Sequence, residues 1–543
     1  MLEEMPTLRH IGKNTSSRDL WTAVNKIKNR TKNERTVVGI NAEILNKYYA
    51  DISHDNNYVK PPYKHTTSSR MAPFSEYEIF NILDKLKPTA SGLDQLPAWF
   101  LRLGAPVLAK HIARLFNRSI DESVVPCQWK RAYIKPIPKV STPSVPADFR
   151  PISVTPILSR VMERMIVSKF IYPAFVDPPA PLSFSDQFAF KPAGSTTAAL
   201  IAILDAVTTM LQTNTAVIVI ALDFSKAFDT VRHSTLMEKM KLLDKPDCVY
   251  NWIVNFLTDH EHCTIYDGLM SILEQITASI IQGSTIGPAS YSVNASDLRP
   301  KNPGNKLFKF ADDTYLVIPS SNIDTRTEEL KHVEDWASTN NLKLNSTKSQ
   351  EIVFTKPRSR SSQTIPVLTG LTRISMIKLL GVIISDRFSM EVHVSSVISS
   401  AAQTLYALKV LRSHGLCGSK LQVVFRATVL SKLQYASSAW WGFTNATQRG
   451  RLEAFLRRCS KAGFYCVTSG TFESVCLSAD DQLFRRITSN FEHPLRNLLP
   501  PVVEHQHNLR PRNHSFRLPE KTDSLIGSNF MFRVLYKNVN RLK

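Results

Sequence analysis

Residues 215–224 read TAVIVIALDF, and this run constrains the fold more than any other segment. Ala216 to Leu222 is continuously apolar and mostly β-branched. That pattern suits a strand buried on both faces, because a half-exposed strand alternates with polar residues. The run is far too short to cross a bilayer and ends on an acid, Asp223. A second segment, LFKFADDTYLVIP (307–319), has two short apolar strands flanking Ala311-Asp312-Asp313 and reads as a hairpin. Helical periodicity precedes these strands in EYEIFNILDKL and WFLRLGAPVLAKHIARLFNRSI, and returns from Met390 to Ser460. The fold class expected is mixed α/β (α+β), with acids at strand ends.

Those acids define the expected chemistry. Asp223, Asp312 and Asp313 brought together would repel one another unless a cation neutralised them. Hard divalent ions with oxygen ligands do this, and Mg²⁺ is typically held by one or two carboxylates plus substrate phosphates. Two ions about 3.5–4 Å apart activate an attacking hydroxyl and steady the leaving oxygen in phosphoryl transfer. Any single Asp is adequately explained as a turn residue. An acidic pair between two strands, with a buried strand ending in Asp upstream, points to a metal triad served by two Mg²⁺ ions, with Mn²⁺ as a substitute.

The charge balance points to a polyanionic partner. There are 67 Lys and Arg against 46 Asp and Glu, a formal net charge of +21. Nucleic acid is the commonest polyanion available to such an excess. From Glu391 onward 21 basic residues stand against 9 acidic ones, so the excess leans carboxy-terminal. Seven cysteines do not make a disulfide framework in a chain of 543 residues. MLEEMPTLRH has no apolar h-region. An intracellular protein, nuclear or cytoplasmic and without a membrane span, is expected. Cys459, Cys466 and Cys476 lack the close paired spacing of a zinc site, and His260-Glu261-His262 reads as a surface turn rather than a metal site.

Three segments carry a family resemblance. ALDFSKAFDTVRH (221–233), IIQGSTIGP (280–288) and KFADDTYLVIP (309–319), in that order, resemble the A, B and C motifs of reverse transcriptases, those of non-LTR retrotransposons of the LINE or jockey-like type in particular. The resemblance extends from about Ala72 to about Gly463. It implies a right-hand polymerase with fingers, palm and helical thumb, copying RNA into DNA. Asp223, Asp312 and Asp313 then match the metal-binding triad, and Phe228 the aromatic gate against a ribonucleotide 2′-OH. Gln282 and Gly283 match the contacts to nucleotide and template. Arg150 in DFRPIS and Lys139 in PIPK match the triphosphate grip. SDQFAFKPAGST (185–196) resembles a template-contacting motif. Lys348 in LKLNSTKS matches a proton donor to pyrophosphate, and KLLGVIIS (378–385) a turn gripping the primer. Ile281 stands where the family often has Pro, and Lys191 where Arg is frequent; neither removes a ligand.

The expected organisation is an N-terminal extension and linker (1–70), fingers (71–214), palm (215–388), helical thumb (389–470) and a basic tail (471–543). RNA template, DNA primer or target, and dNTPs are the expected partners. About 70 residues precede the fingers, too few for the endonuclease common in such elements. The chain is therefore expected to be a polymerase portion or a shortened copy, with endonuclease supplied elsewhere. The alternatives are a related polymerase such as a group II intron maturase, or a nucleic-acid-binding remnant without activity. Ala311 before the Asp pair and Phe228 after the first Asp point away from a viral RNA-directed RNA polymerase.

Overall fold

The computed structural model describes residues 39–65, 73–357, 365–416, 418–466, 470–503 and 514–539. Much of the expected amino-terminal extension (1–38) and part of the basic tail (504–513) lie outside these ranges. Along the described chain the strands are β1 (Arg131–Pro138), β2 (Phe149–Val154), β3 (Ala216–Leu222), β4 (Phe224–Ser225), β5 (His260–Tyr266), β6 (Leu269–Met270), β7 (Glu274–Ile276), β8 (Lys306–Phe310), β9 (Asp313–Pro319), β10 (Lys343–Leu344), β11 (Gln350–Thr355), β12 (Thr372–Arg373), β13 (Met376–Leu379) and β14 (Val382–Ser385).

Strand β3 lies at the centre of the sheet β12-β11-β3-β9-β8, antiparallel to both of its neighbours. Its alternation feeds two cores. Val217 and Val219 pack with the Thr196–Met210 helix and the carboxy-terminal helices. Ala216, Ile218, Ile220 and Leu222 pack with the amino-terminal helices and with Trp252 and Phe256. Each buried Val or Ile contributes about 1.5–3 kcal/mol relative to an exposed one, so an edge position would forfeit half of that gain. This two-sided burial is why the run carries no polar alternation.

The second large sheet runs β2-β1-β5-β6, with β7 also paired to β5. Here β1 and β5 are parallel although more than a hundred residues apart in sequence. The Ala42–Ile52 helix, opened by an Asn41 cap on Ile44 N–H, packs against β5 and β7. Residues 39–65 are thus built into the fold, with Asp55 paired to Arg232 at 2.8 Å and Lys64 to Asp247 at 3.2 Å.

Helices Glu391–Ser413, Ala446–Lys461 and Phe472–Ser489 follow, and the Phe530–Val539 helix packs back on the Thr196–Met210 helix. Phe472, Cys476, Phe484, Phe530 and Leu535 share one core with the helices before them. The buried pair Arg533–Asp480 at 2.8 Å ties the two ends of that segment. No helix among the described residues is long and apolar enough to cross a membrane.

Candidate active site

The three aspartates meet where strands end. The last paired residues of β3 and β9 are Leu222 and Thr314, so one further step in the same register sets Asp223 opposite Asp313. Directly opposed residues have Cβ atoms about 4.5–5.5 Å apart. Asp312 sits on the adjoining two-residue turn, closed by the Phe310–Asp313 pair. Ala311 holds that turn with φ of 58°, a left-handed conformation costly to a residue with a Cβ. Its N–H donates to Gln187 Oε1 at 3.3 Å. Asp223 is where the chain leaves one sheet for the β4–β10 ribbon. Its N–H donates to Ser349 Oγ at 3.2 Å, and its carbonyl accepts from Asn345 N–H at 2.8 Å.

Their charges act on one another. Burial, then Asp312 and Asp223, pushes the Asp313 carboxyl up to about 6. Burial and Asp223 raise Asp312, while Arg150 opposes the shift. Like charges in a partly desolvated cleft disfavour ionisation together, and a cation would reverse this. Among the described residues no group of three or more His, Cys, Asp or Glu side chains is placed to hold a metal ion. The three carboxylates offer oxygen donors only, the ligand type that suits Mg²⁺ completed by water and substrate phosphate.

Cations face this acidic centre. Arg150 is exposed on β2, opposite Ile137 of β1, and its field reaches Asp312. Lys139 follows β1, with its Nζ donating to the Ala147 carbonyl at 2.8 Å. Desolvation lowers its pKa, Asp229 opposes that, and Arg150, Lys226 and Lys348 lower it further, so four basic groups share one region. Lys348 Nζ lies 4.0 Å from Asp223 Oδ2, with the lysine side chain 71% exposed. A pair this open is weak and leaves the ammonium free for another anion. Lys226, with φ of 52°, places its Nζ 4.6 Å from the Tyr48 ring centroid.

Phe228 is half-buried and braced on two sides. It stacks on Tyr291 at 4.5 Å and 17°, and meets Phe190 edge-on at 5.9 Å. Burial, Asp312 and Asp313 all raise the Tyr291 hydroxyl pKa, so this aromatic pair stands beside the acidic pair. Residues 228–232 run antiparallel to 278–280, with Ile280 N–H donating to the Phe228 carbonyl at 2.7 Å. Gln282 Nε2 donates to Asp229 Oδ1 at 2.8 Å, and Ser153 N–H donates to the Gln282 carbonyl at 2.7 Å. Gly283 has φ of 133°, and a Cβ there would lie 2.0 Å from the Ser153 carbonyl oxygen. Only glycine fits so close a crossing.

Several groups of this site carried no sequence signal. Asp229, Tyr291 and Lys226 lie inside or beside the motifs, but their partners are remote in sequence. Glu163 is fully buried and accepts from Thr285 N–H at 2.6 Å, Ile286 N–H at 3.1 Å and Ser159 Oγ at 2.8 Å. It caps the Ile286–Asn294 helix that carries Tyr291. The expectation of a surface turn at His260-Glu261-His262 is corrected: the residues open β5, held between β1 and β7, and both imidazoles are buried. Burial pushes His260 down to about 3 and His262 to about 4, so both are neutral. KLLGVIIS forms the β13–β14 hairpin, with Leu380 and Gly381 at φ of 43° and 91° in its turn. Tyr435 Oη donates to the Leu380 carbonyl at 2.8 Å and pins that turn to the helical region.

Residues 137–384 match the family described as reverse transcriptase (RNA-dependent DNA polymerase). The RNA-directed DNA polymerase from mobile element jockey of Drosophila melanogaster is 27% identical over 354 residues, 63% of this chain and 38% of that protein. The probable RNA-directed DNA polymerase from transposon X-element of the same organism is 23% identical over 366 residues, 65% of this chain and 39% of that protein. The chain thus spans about two-fifths of the length of these relatives. Among solved structures, apo telomerase from Candida tropicalis, truncated from its C-terminal domain, aligns over 49% of this chain and 55% of its own at 14% identity and a TM-score of 0.33.

Proposed function

We propose that this chain, which carries a reverse transcriptase domain over residues 137–384, is the RNA-directed DNA polymerase of a non-LTR retrotransposon of the jockey-like type. Its substrates would be an RNA template, a DNA primer or nicked target, and dNTPs. The observation that carries this reading is that Asp223 and Asp313 each adjoin the last β3–β9 pair, Leu222–Thr314, with Asp312 on the β8–β9 turn and Arg150 acting on it from β2. In the arrangement we propose, 71–214 act as fingers, 215–388 as palm and 389–470 as thumb.

Asp223, Asp312 and Asp313 would hold divalent ions, which when bound acidify the primer 3′-OH and stabilise charge on the departing pyrophosphate. The protein's own groups do the rest. Arg150 and Lys139 neutralise the triphosphate from the side opposite the acids. Lys348, free in solvent beside Asp223, donates a proton to pyrophosphate. Phe228, braced by Tyr291 and Phe190, fills the space a 2′-OH would need. Gly283 lets backbone approach the nascent base pair closely.

Primer extension by the purified full chain tests this, with RNA and DNA templates compared and dNTPs set against rNTPs. RNA-templated dNTP incorporation is expected with Mg²⁺. Asp313→Asn should lower it by several orders of magnitude while template affinity stays within about twofold, because only charge at the metal is lost. A wild-type chain that binds primer–template but never extends it, or an Asp313→Asn variant as active as wild type, would overturn the assignment.

A further inference from the structure

Asp229 is buried, 7% exposed, and among the described residues has no cation within ion-pair distance. Lys139 and Lys226 act on it only at longer range. A carboxylate is a costly choice for packing alone in such a place. Among the described residues its side chain accepts one hydrogen bond, from the Gln282 amide at 2.8 Å. Asp229 and Gln282 both line a cavity of about 20 Å³, together with Tyr49, Ser153, His260 and His262 among others. Tyr49 Oη, both nitrogens of His260 and His262 Nε2 find no protein partner there. Such a space suits one bridging water, which would tie these neutral groups to the carboxylate behind Gln282.

Three elements converge on this point. The 228–232 segment brings Asp229, the turn after Ile281 brings Gln282, and β2 locks the Gln282 carbonyl through Ser153 N–H. The Gln282 backbone is therefore fixed, and the rotation of its amide is left to Asp229. An amide can present either its oxygen or its N–H₂ to a ligand. A carboxylate accepts only, so it selects one of the two orientations.

We propose that Asp229 is a positioning residue for nucleotide selection, orienting the Gln282 amide toward the incoming dNTP. This rests on the polymerase reading above. The test is single-nucleotide incorporation of dTTP on a poly(rA) template with an oligo(dT) primer, using the full chain and the variants Asp229→Ala, Asp229→Asn and Gln282→Ala. Asp229→Ala is expected to raise KM for dTTP about tenfold or more, as for loss of a charge-assisted hydrogen bond. Its kcat should stay within about threefold, because no group at the reacting atoms is touched. Asp229→Asn keeps an acceptor and should restore most of the affinity. Combining Asp229→Ala with Gln282→Ala should be no worse than Gln282→Ala alone, since both remove one interaction. Losses that multiply in the double variant, or an Asp229→Asn variant with the KM of Gln282→Ala, overturn the inference. Should Asp229→Ala fail to fold by circular dichroism, that comparison of Asp229→Asn with Gln282→Ala decides alone. A wild-type chain that does not extend overturns the polymerase reading and this inference with it.

Discussion

At the scale of single residues, the site is a set of groups held by neighbours that do no chemistry. Phe228 is the clearest case, stacked on Tyr291 and edge-on to Phe190, so its ring cannot swing aside cheaply. Discrimination by one pocket contact is worth about 1–3 kcal/mol. Phe228→Val should therefore relax the preference for dNTP over rNTP by about tens of fold while sparing dNTP incorporation. The measurement is the ratio of kcat/KM for dCTP and CTP, and an unchanged ratio would make Phe228 a packing residue. Asp229 gives a pH dependence. Burial pushes its carboxyl up to about 6, against the Gln282 bond, Lys139 and Lys226. The other groups facing it are Tyr49 of the Ala42–Ile52 helix and the two β5 histidines, which stay neutral above pH 5. Asp229 is thus ionised above about 6, and protonation weakens the bond it accepts. KM for dNTP should climb as pH falls through 6, and Asp229→Asn should flatten that limb. The same limb in the variant would assign it to another group.

At the scale of elements, what could be read from the sequence was what one segment determines by itself. Strand β3 is legible because burial on both faces demands an unbroken apolar run. The β8–β9 hairpin is legible because its acids interrupt two such runs. Local signals do not extend to contacts that the topology makes. Glu163 caps the Ile286–Asn294 helix from more than a hundred residues away, and nothing near either partner announces it. His260 and His262 looked like turn residues because polar residues usually are; their burial follows from β5 lying between β1 and β7. The Gln282-Gly283 turn mixes both kinds. Its glycine is visible in sequence, but the reason is a strand crossing at Ser153. Gly283→Ala puts a Cβ 2.0 Å from that carbonyl at a φ of 133°. Strain of about 1–3 kcal/mol or more follows, and relief requires β2 and the turn to part. Extension should fall at least about tenfold, with little change in the circular dichroism spectrum. Wild-type extension by Gly283→Ala would mean that the crossing is loose in solution.

At the scale of the whole molecule, the question is where the +21 charge does its work. The carboxy-terminal third carries much of the excess, yet it is no detachable arm. The Phe472–Ser489 and Phe530–Val539 helices share a core with the helices before them, so deleting residues 471–543 would strip that core and report on folding instead of binding. Point substitutions separate the two. A groove of about 630 Å³ beside the Ala446–Lys461 helix is lined by Arg451, Arg457, Arg458 and Lys461. Arg451 is already paired with Glu391, and Arg458 lies 5.9 Å from the Phe455 ring centroid. Arg457 and Lys461 are exposed on the same helix. If they neutralise phosphates, each contributes about −0.9 to the slope of log affinity against log salt for a duplex, and about −0.7 for a single strand. Replacing both with Ala should flatten that slope by about 1.4–1.8 and weaken binding similarly across template sequences. Thermal stability should hardly move, since exposed side chains away from caps and cores cost little. An unchanged slope with an unchanged melt would move the phosphate contacts to the Lys139, Arg150 and Lys226 side of the cleft. Replacing two of those cations would then be expected to flatten the slope.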